Sequence, residues 1–226
     1  MKKCLVALIF LLLTFTPCAW GNSFTLATWG LNLNGDVYFG VYGDPTVYFG
    51  PSAIPTSLPA NINVSLFDFN TGLGTITMEF TSPGTYNVLG FFDLDGVPWD
   101  TDLGGEVGTP PPGLSWEIGE PYNSTIADDF WNSALLNLNL AGGGEHRDIS
   151  MALGLDFEVL SETAHLHFYL SPNAPGGFYL SQTGSQGEQA YFSADVQYGE
   201  AVIPEPATLV LLGSGLLGLG ARFRRK

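Results

Sequence analysis

Two stretches, Ile149–Val159 and Thr163–Leu170, alternate without a break, and that alternation limits what the chain can build. In the first, Ile149, Met151, Leu153, Leu155, Phe157 and Val159 fall on one side, and Ser150, Ala152, Gly154, Asp156 and Glu158 on the other. In the second, Ala164, Leu166, Phe168 and Leu170 oppose Thr163, His165, His167 and Tyr169. A repeat of two sorts side chains onto the two faces of a strand, whereas a helix would scatter them. Gly74–Thr81 turns Ile76, Met78 and Phe80 inward, and Leu114–Ile118 does the same with Leu114, Trp116 and Ile118. The pattern predicts further strands over Phe24–Asn32, Val37–Tyr42, Thr46–Phe49, Ile62–Phe69, Thr85–Phe92, Phe178–Gln182 and Tyr191–Tyr198. Thr85–Phe92 is apolar on both faces, which places it in the middle of a sheet. Turn residues separate these runs at Asn34-Gly35, Gly43-Asp44-Pro45, Asn70-Thr71-Gly72, Ser82-Pro83-Gly84 and Pro175-Gly176-Gly177. One helix is predicted, Ser124–Leu136, with Ile126, Phe130, Trp131 and Leu135 as its apolar stripe, crossing one end of the molecule. With no strand–helix–strand rhythm, the expected fold is all-β. It is a two-layer antiparallel β-sandwich, jelly-roll or immunoglobulin-like, followed by a C-terminal transmembrane helix.

The two ends read differently from the body. Lys2 and Lys3 precede an apolar run, Leu5–Leu13, too short to span a bilayer, and Ala19-Trp20-Gly21 puts small residues before Asn22. That is the pattern of a signal peptide over residues 1–21. Near the other end, Pro204-Glu205-Pro206 is followed by the uncharged run Ala207–Ala221 and then by Arg222, Arg224, Arg225 and Lys226. As a helix the run covers about 22 Å against a hydrocarbon core of about 30 Å. Val202, Ile203 and a snorkelling Arg222 extend it. The cations stop it and hold the tail in the cytoplasm. The glycines at 213, 215, 218 and 220 weaken the helix, which suits a transient span. The expected layout is a signal peptide over 1–21, a β domain over 22–201 and a sorting segment over 202–226.

This tripartite tail resembles the PEP-CTERM sorting signal of bacterial surface proteins. The resemblance implies passage across the inner membrane and transient retention by the tail. It also implies cleavage near Pro204-Glu205-Pro206 by an exosortase-type membrane enzyme, then release or attachment at the cell surface, often alongside exopolysaccharide. The same kind of tail stands on some ice-binding proteins. Sorting tails sit on unrelated bodies, so it assigns no ice binding here. The body also resembles a family of PEP-CTERM proteins without an assigned activity. The matching stretches are Tyr86–Asp93 (YNVLGFFD), Trp116-Glu117-Ile118, Ser150–Gly154 (SMALG) and Gly177–Thr183 (GFYLSQT), with Tyr191-Phe192-Ser193 following. These are apolar strand patterns, which imply a shared fold and carry no catalytic signature.

Charge narrows the function. Both cysteines, Cys4 and Cys18, lie in the signal peptide, so the body has no disulfide, no thiol nucleophile and no thiolate metal site. Of the seven Lys and Arg only Arg147 belongs to the body, against 21 Asp and Glu. Nucleic acid is excluded as a partner, because binding it requires cations to replace the counterions on phosphate. Anionic lipid headgroups are disfavoured for the same reason. Two readings of the acidity remain: solubility with mutual repulsion between exported copies, or a surface that collects a hard divalent cation such as Ca²⁺.

Phe91–Gly108 gathers Asp93, Asp95, Asp100, Asp102 and Glu106 where a strand is expected to run into a Gly/Pro-rich loop. With loop carbonyls and water, these carboxylates are the candidate Ca²⁺ ligands. The EF-hand template fails, because the fifth residue after Asp95 is Asp100 and not glycine. The bland alternative is a solvated acidic loop. His165 and His167 share a strand face, and with His146 or a carboxylate they would make a zinc-type site; polar surface is the simpler reading. Trp29, Trp99, Trp116 and Trp131, with the tyrosines, offer rings for stacking on sugars. Trp99 is the best placed, while the alternation makes Trp116 a core residue, and Trp29 and Trp131 are open to the same reading. No G-x-S-x-G in the body, no H-E-x-x-H and no P-loop occur. The expectation is therefore a non-enzymatic, exported β protein with a structural or adhesive role and exopolysaccharide as a candidate partner. The alternative is a secreted Ca²⁺-dependent carbohydrate-binding or carbohydrate-cleaving module.

Overall fold

A computed structural model describes residues 24–41, 48–49, 55–56, 58–96, 102–121, 124–141 and 148–199. Residues 1–21 and 202–226, Trp99, Asp100, His146 and Arg147 lie outside the described residues. The protein is all-β, built as two sheets. In chain order the strands are β1 (Thr25–Leu33), β2 (Asp36–Val41), β3 (Tyr48–Phe49), β4 (Pro55–Thr56), β5 (Ile62–Asp68), β6 (Leu73–Phe80) and β7 (Gly84–Asp95). There follow β8 (Leu103–Val107), β9 (Leu114–Gly119), a short helix α1 (Ile126–Trp131), β10 (Leu138–Asn139), β11 (Ser150–Val159), β12 (Ala164–Ser171), β13 (Tyr179–Thr183) and β14 (Gln189–Tyr198). The larger sheet runs β10-β9-β11-β7-β1-β2-β3-β4, and the smaller runs β5-β6-β12-β14-β13-β8. Every pairing is antiparallel except β10 on β9.

Of the connections that pass between the sheets, two join central strands: the chain goes from β6 in the smaller sheet to β7 in the larger one, and from β11 in the larger to β12 in the smaller. β7 and β11 are neighbours in one sheet, and β6 and β12 are neighbours in the other. The alternating residues meet between them. Phe92 and Leu94 of β7 and Met151, Leu153 and Leu155 of β11 face Ile76, Met78, Leu166, Phe168 and Phe192 in one buried core. Trp116 belongs to it, as the alternation required, and so does Trp29. Gly74 marks where β5 and β6 come unusually close. Its φ is +124°, and a Cβ there would run into the carbonyl of Leu66, beside the register shift between Asn63 and Leu66. Only glycine fits such a position.

Several sequence-based expectations need correction. The predicted helix Ser124–Leu136 is formed only over Ile126–Trp131. Ser133 has a φ of 55°, and Ala134 donates its N–H to the carbonyl of Asp129 (2.8 Å), a left-handed ending that closes the helix early. The helix also does not cross an end. It lies on the outer face of the larger sheet, where Ile126, Phe130 and Leu135 pack on Val37, Leu89, Phe91 and Ala152 in a second buried cluster. That is why β7 is apolar on both faces, and why Ser150, Ala152 and Gly154, expected outside, are buried. Trp131 remains 43% exposed, so it is not a core residue. Finally, Phe91–Gly108 is not one loop after a strand. β7 continues to Asp95, and Leu103–Val107 forms β8 against β13. Leu-Gly-Gly-Glu-Val has little intrinsic strand preference, so only its partner makes it a strand.

Candidate functional site

Two regions concentrate chemistry. The first is the end of β7. The register sets Asp93 opposite Ser150, and this carries Asp148, just upstream on the chain, to the same place. One carboxylate oxygen from each of Asp93, Asp95 and Asp148 lies within 4.8 Å of the others. Ser150 Oγ donates to Asp93 Oδ1 (3.0 Å, both buried). Burial, followed by the charges of Asp148 and Asp95, pushes the Asp93 carboxyl well above the usual carboxylate range. Three carboxylates this close must take up either a proton or a cation. Calcium–oxygen bonds of about 2.3–2.6 Å admit one ion among oxygens at this spacing, with carbonyls and water completing the shell. Beside the cluster, Asp93 also lines a shallow cavity of about 120 Å³ walled by Phe39, Phe91, Phe130 and Trp131.

The candidate carboxylates separate here. Asp93 and Asp95 come together and gain Asp148. Glu106 is carried off on β8, opposite Leu180, where Asn139 Nδ2 donates to its Oε2 (3.3 Å). Asp102 turns inward and is 1% exposed. Its Oδ2 accepts from Gln182 Nε2 (2.6 Å) and from the Gly96 N–H (3.3 Å), while Oδ1 has no partner. Burial raises Asp102 to about 6 against the pull of those two bonds. The same Gln182 amide donates to the Leu94 carbonyl, so it ties β13 to the end of β7. No local signal in the sequence marks Asp148, because it reaches Asp93 through the pairing of β11 with β7.

The second region is the outer face of the smaller sheet. In register, His167 on β12 lies between Thr77 on β6 and Asp195 on β14, and Tyr169 lies between Thr75 and Ser193. Continuing the pairing of Leu180 with Phe192, Tyr179 on β13 lies on the far side of Ser193. Asp195 Oδ1 is 3.0 Å from His167 Nδ1 and accepts from the Tyr169 hydroxyl (3.4 Å); Gln197 Nε2 donates to Oδ2 (3.1 Å). The His167 and Tyr169 rings stack at 5.6 Å with 20° between planes, and Tyr179 meets Tyr191 edge-on at 5.4 Å. Burial, then the Asp195 charge, raises the Tyr169 hydroxyl above its usual value. An open cavity of about 530 Å³ adjoins this face, bounded by Tyr169, Ser193, Asp195 and the loop carrying Asn173, Pro175 and Phe178. The two strand histidines thus make no three-ligand group with other described residues. His167 is committed to Asp195 instead. Reasoning from sequence named the histidines but missed Asp195, 28 residues further on.

The model for the PEP-CTERM protein-sorting motif matches residues 202–226. The chain therefore carries a PEP-CTERM protein-sorting motif at residues 202–226. No curated protein and no solved structure matches the chain. The PEP-CTERM match takes in Pro204, Glu205 and Pro206 and the cations Arg222, Arg224, Arg225 and Lys226. It supports export through an exosortase-type route, with a membrane-held precursor sorted to the cell surface. Among the described residues no helix is long and apolar enough to cross a membrane, and the expected C-terminal span lies outside them. The body stretches Tyr86–Asp93, Trp116-Glu117-Ile118, Ser150–Gly154, Gly177–Thr183 and Tyr191-Phe192-Ser193 fall on β7, β9, β11, β13 and β14. The first three are adjacent strands of the larger sheet.

Proposed function

We propose that the protein is an exported, non-enzymatic component of the cell surface or extracellular matrix, with a structural or adhesive role. Its tail is a temporary handle, cut near Pro204-Glu205-Pro206 by an exosortase-type enzyme. The match at residues 202–226 carries the export and sorting part of this reading. The body, read as a β-sandwich of the jelly-roll or immunoglobulin kind, supports it, since such a body is a durable module that needs no disulfide. The His167–Asp195 pair has the form of an oriented acid–base couple, but among the described residues no hydroxyl is hydrogen-bonded to the imidazole. In cells with an active exosortase, the chain is expected at the surface, shortened by its tail. Without the enzyme, the uncut precursor stays with the inner membrane. Full-length chain found soluble in the cytosol with Met1 intact would overturn the proposal.

The convergence of Asp93, Asp95 and Asp148 favours a second reading, a secreted Ca²⁺-dependent carbohydrate-binding or carbohydrate-cleaving module. On that reading, Ca²⁺ at a hundred times its dissociation constant stabilises the fold by about 2.7 kcal/mol. The melting temperature then rises by several degrees, and Asp148→Asn abolishes the rise. A melt that is the same in Ca²⁺ and in chelator removes this reading.

A further inference from the structure

We propose that the outer face of the smaller sheet is a binding platform for an uncharged polysaccharide, centred on Tyr169, Ser193 and Asp195. The proposal rests on the adhesive reading above and gives it a partner.

The shape comes from the register. Tyr169 and Tyr179 stand on strands two apart, so their backbones are about 10 Å from each other at about 4.8 Å per strand. Ser193, small and 8% exposed, lies beside Tyr169 in the register of β12 with β14. Tyr169, Ser193 and Asp195 make one side of the cavity, and the loop carrying Asn173, Pro175 and Phe178 walls the other. Its volume of about 530 Å³ falls within the ~300–1,000 Å³ of ordinary ligand sites.

The chemistry selects the ligand. The ring faces suit the C–H faces of a sugar, and Ser171, Ser181, Ser193, Thr75 and Thr77 supply hydroxyls in reach of the same face. Asp195 is the strong acceptor. His167, Tyr169 and Gln197 fix its orientation, so it can take hydroxyl protons from a sugar at little entropic cost. Charge rejects the other polymers. The body has one arginine against 21 acids, so an anionic glycan meets repulsion and no counter-charge. A polycation would find only Asp195 and Glu79 on the central strands β6, β12 and β14. A protein partner would want a contiguous apolar centre, and this face alternates tyrosine with serine, threonine and histidine.

The test is affinity electrophoresis of the full-length protein in detergent, through gels containing dextran, mannan or xylan, with chelator present. Retardation by at least one of them is expected. Asp195→Asn, which keeps the side chain's shape, and Tyr169→Ala should each weaken it about tenfold, with melting temperatures showing that the fold survives. Glu158→Gln, at an exposed position of β11 in the larger sheet, should leave it unchanged. No retardation by any of the three polymers overturns the proposal. So does binding that requires Ca²⁺, that Asp148→Asn abolishes, or that is as strong for alginate. Export is scored separately by fractionation, so failure of the platform and failure of surface sorting are told apart.

Discussion

Phe92→Ala is expected to lower the free energy of unfolding by about 3–5 kcal/mol. Phe92 has no exposed surface and belongs to β7, the strand that pairs with both β1 and β11. Its ring meets Phe192 of β14 edge-on at 5.0 Å and Phe67 of β5 at 5.7 Å, so it joins the larger sheet to two strands of the smaller. Phe192 in turn contacts Phe168 at 5.6 Å. Truncation therefore removes transferred apolar surface, leaves a cavity and breaks two ring contacts of about 0.5–1.5 kcal/mol each. The surroundings cannot collapse easily, because β7 is held by hydrogen bonds on both sides. At roughly 2–4 °C per kcal/mol for a domain of this size, the melting temperature should drop by about 10 °C or more. Leu66→Ala, at a leucine 73% exposed, should change stability by no more than about 0.5 kcal/mol. Denaturant titration of both variants checks this, and a loss below about 1 kcal/mol for Phe92→Ala contradicts the picture of a single locked core.

That core was legible in the sequence because burial on one face leaves a period of two. Ile149–Val159 and Thr163–Leu170 became β11 and β12 within a residue at either end. What stayed hidden was whatever long-range pairing decides. β8 has no pattern of its own and exists because β13 accepts it. The early end of α1 depends on Ser133 adopting a left-handed conformation and on Glu117 accepting the Leu136 N–H (3.1 Å) from across the sheet surface. The apolar outer side of β7 was read correctly as central, but not as the seat of a helix, since periodicity cannot say what covers a face.

The candidate sites followed the same rule. Asp93 and Asp95 sit two apart on a strand, and their proximity can be read from the chain alone. Their third partner, Asp148, and the partner of His167, Asp195, arrive through register. Conversely, Glu106 is near in sequence and remote in space, because the chain changes sheets between β7 and β8. Residue spacing predicts which groups share a face of one strand. It does not predict which strand lies alongside.

Acidification from pH 8 toward pH 5 should stabilise the protein, the reverse of ordinary acid denaturation. Asp102 has a value of about 6 in the folded chain against 3.8 without its environment. Between those values the folded state holds a proton that the unfolded state has lost, so unfolding becomes easier as pH rises. The stabilisation is complete below about 4 and is gone once pH exceeds about 6. At full strength this gap is worth ~3 kcal/mol. Asp102 is sealed by contacts but lies close under the surface, so solvent screening leaves about 1–2 kcal/mol. Asp93 and Glu117 are raised chiefly by burial and act in the same direction. Asp68 opposes them at the acid end. Hydrogen bonds, first among them the Asn70 N–H, lower it, so its contribution fades as pH falls below 3.8. The stability maximum therefore belongs near pH 4–5. Asp102→Asn should flatten the profile between about pH 4 and 7 and raise stability at pH 8 by about 1–2 kcal/mol, since an amide carries no charge to desolvate. Thermal melts of both proteins across that range, in chelating buffer, measure the effect. If the variant keeps the slope of the parent, the buried carboxyl of Asp102 is not the source of the linkage.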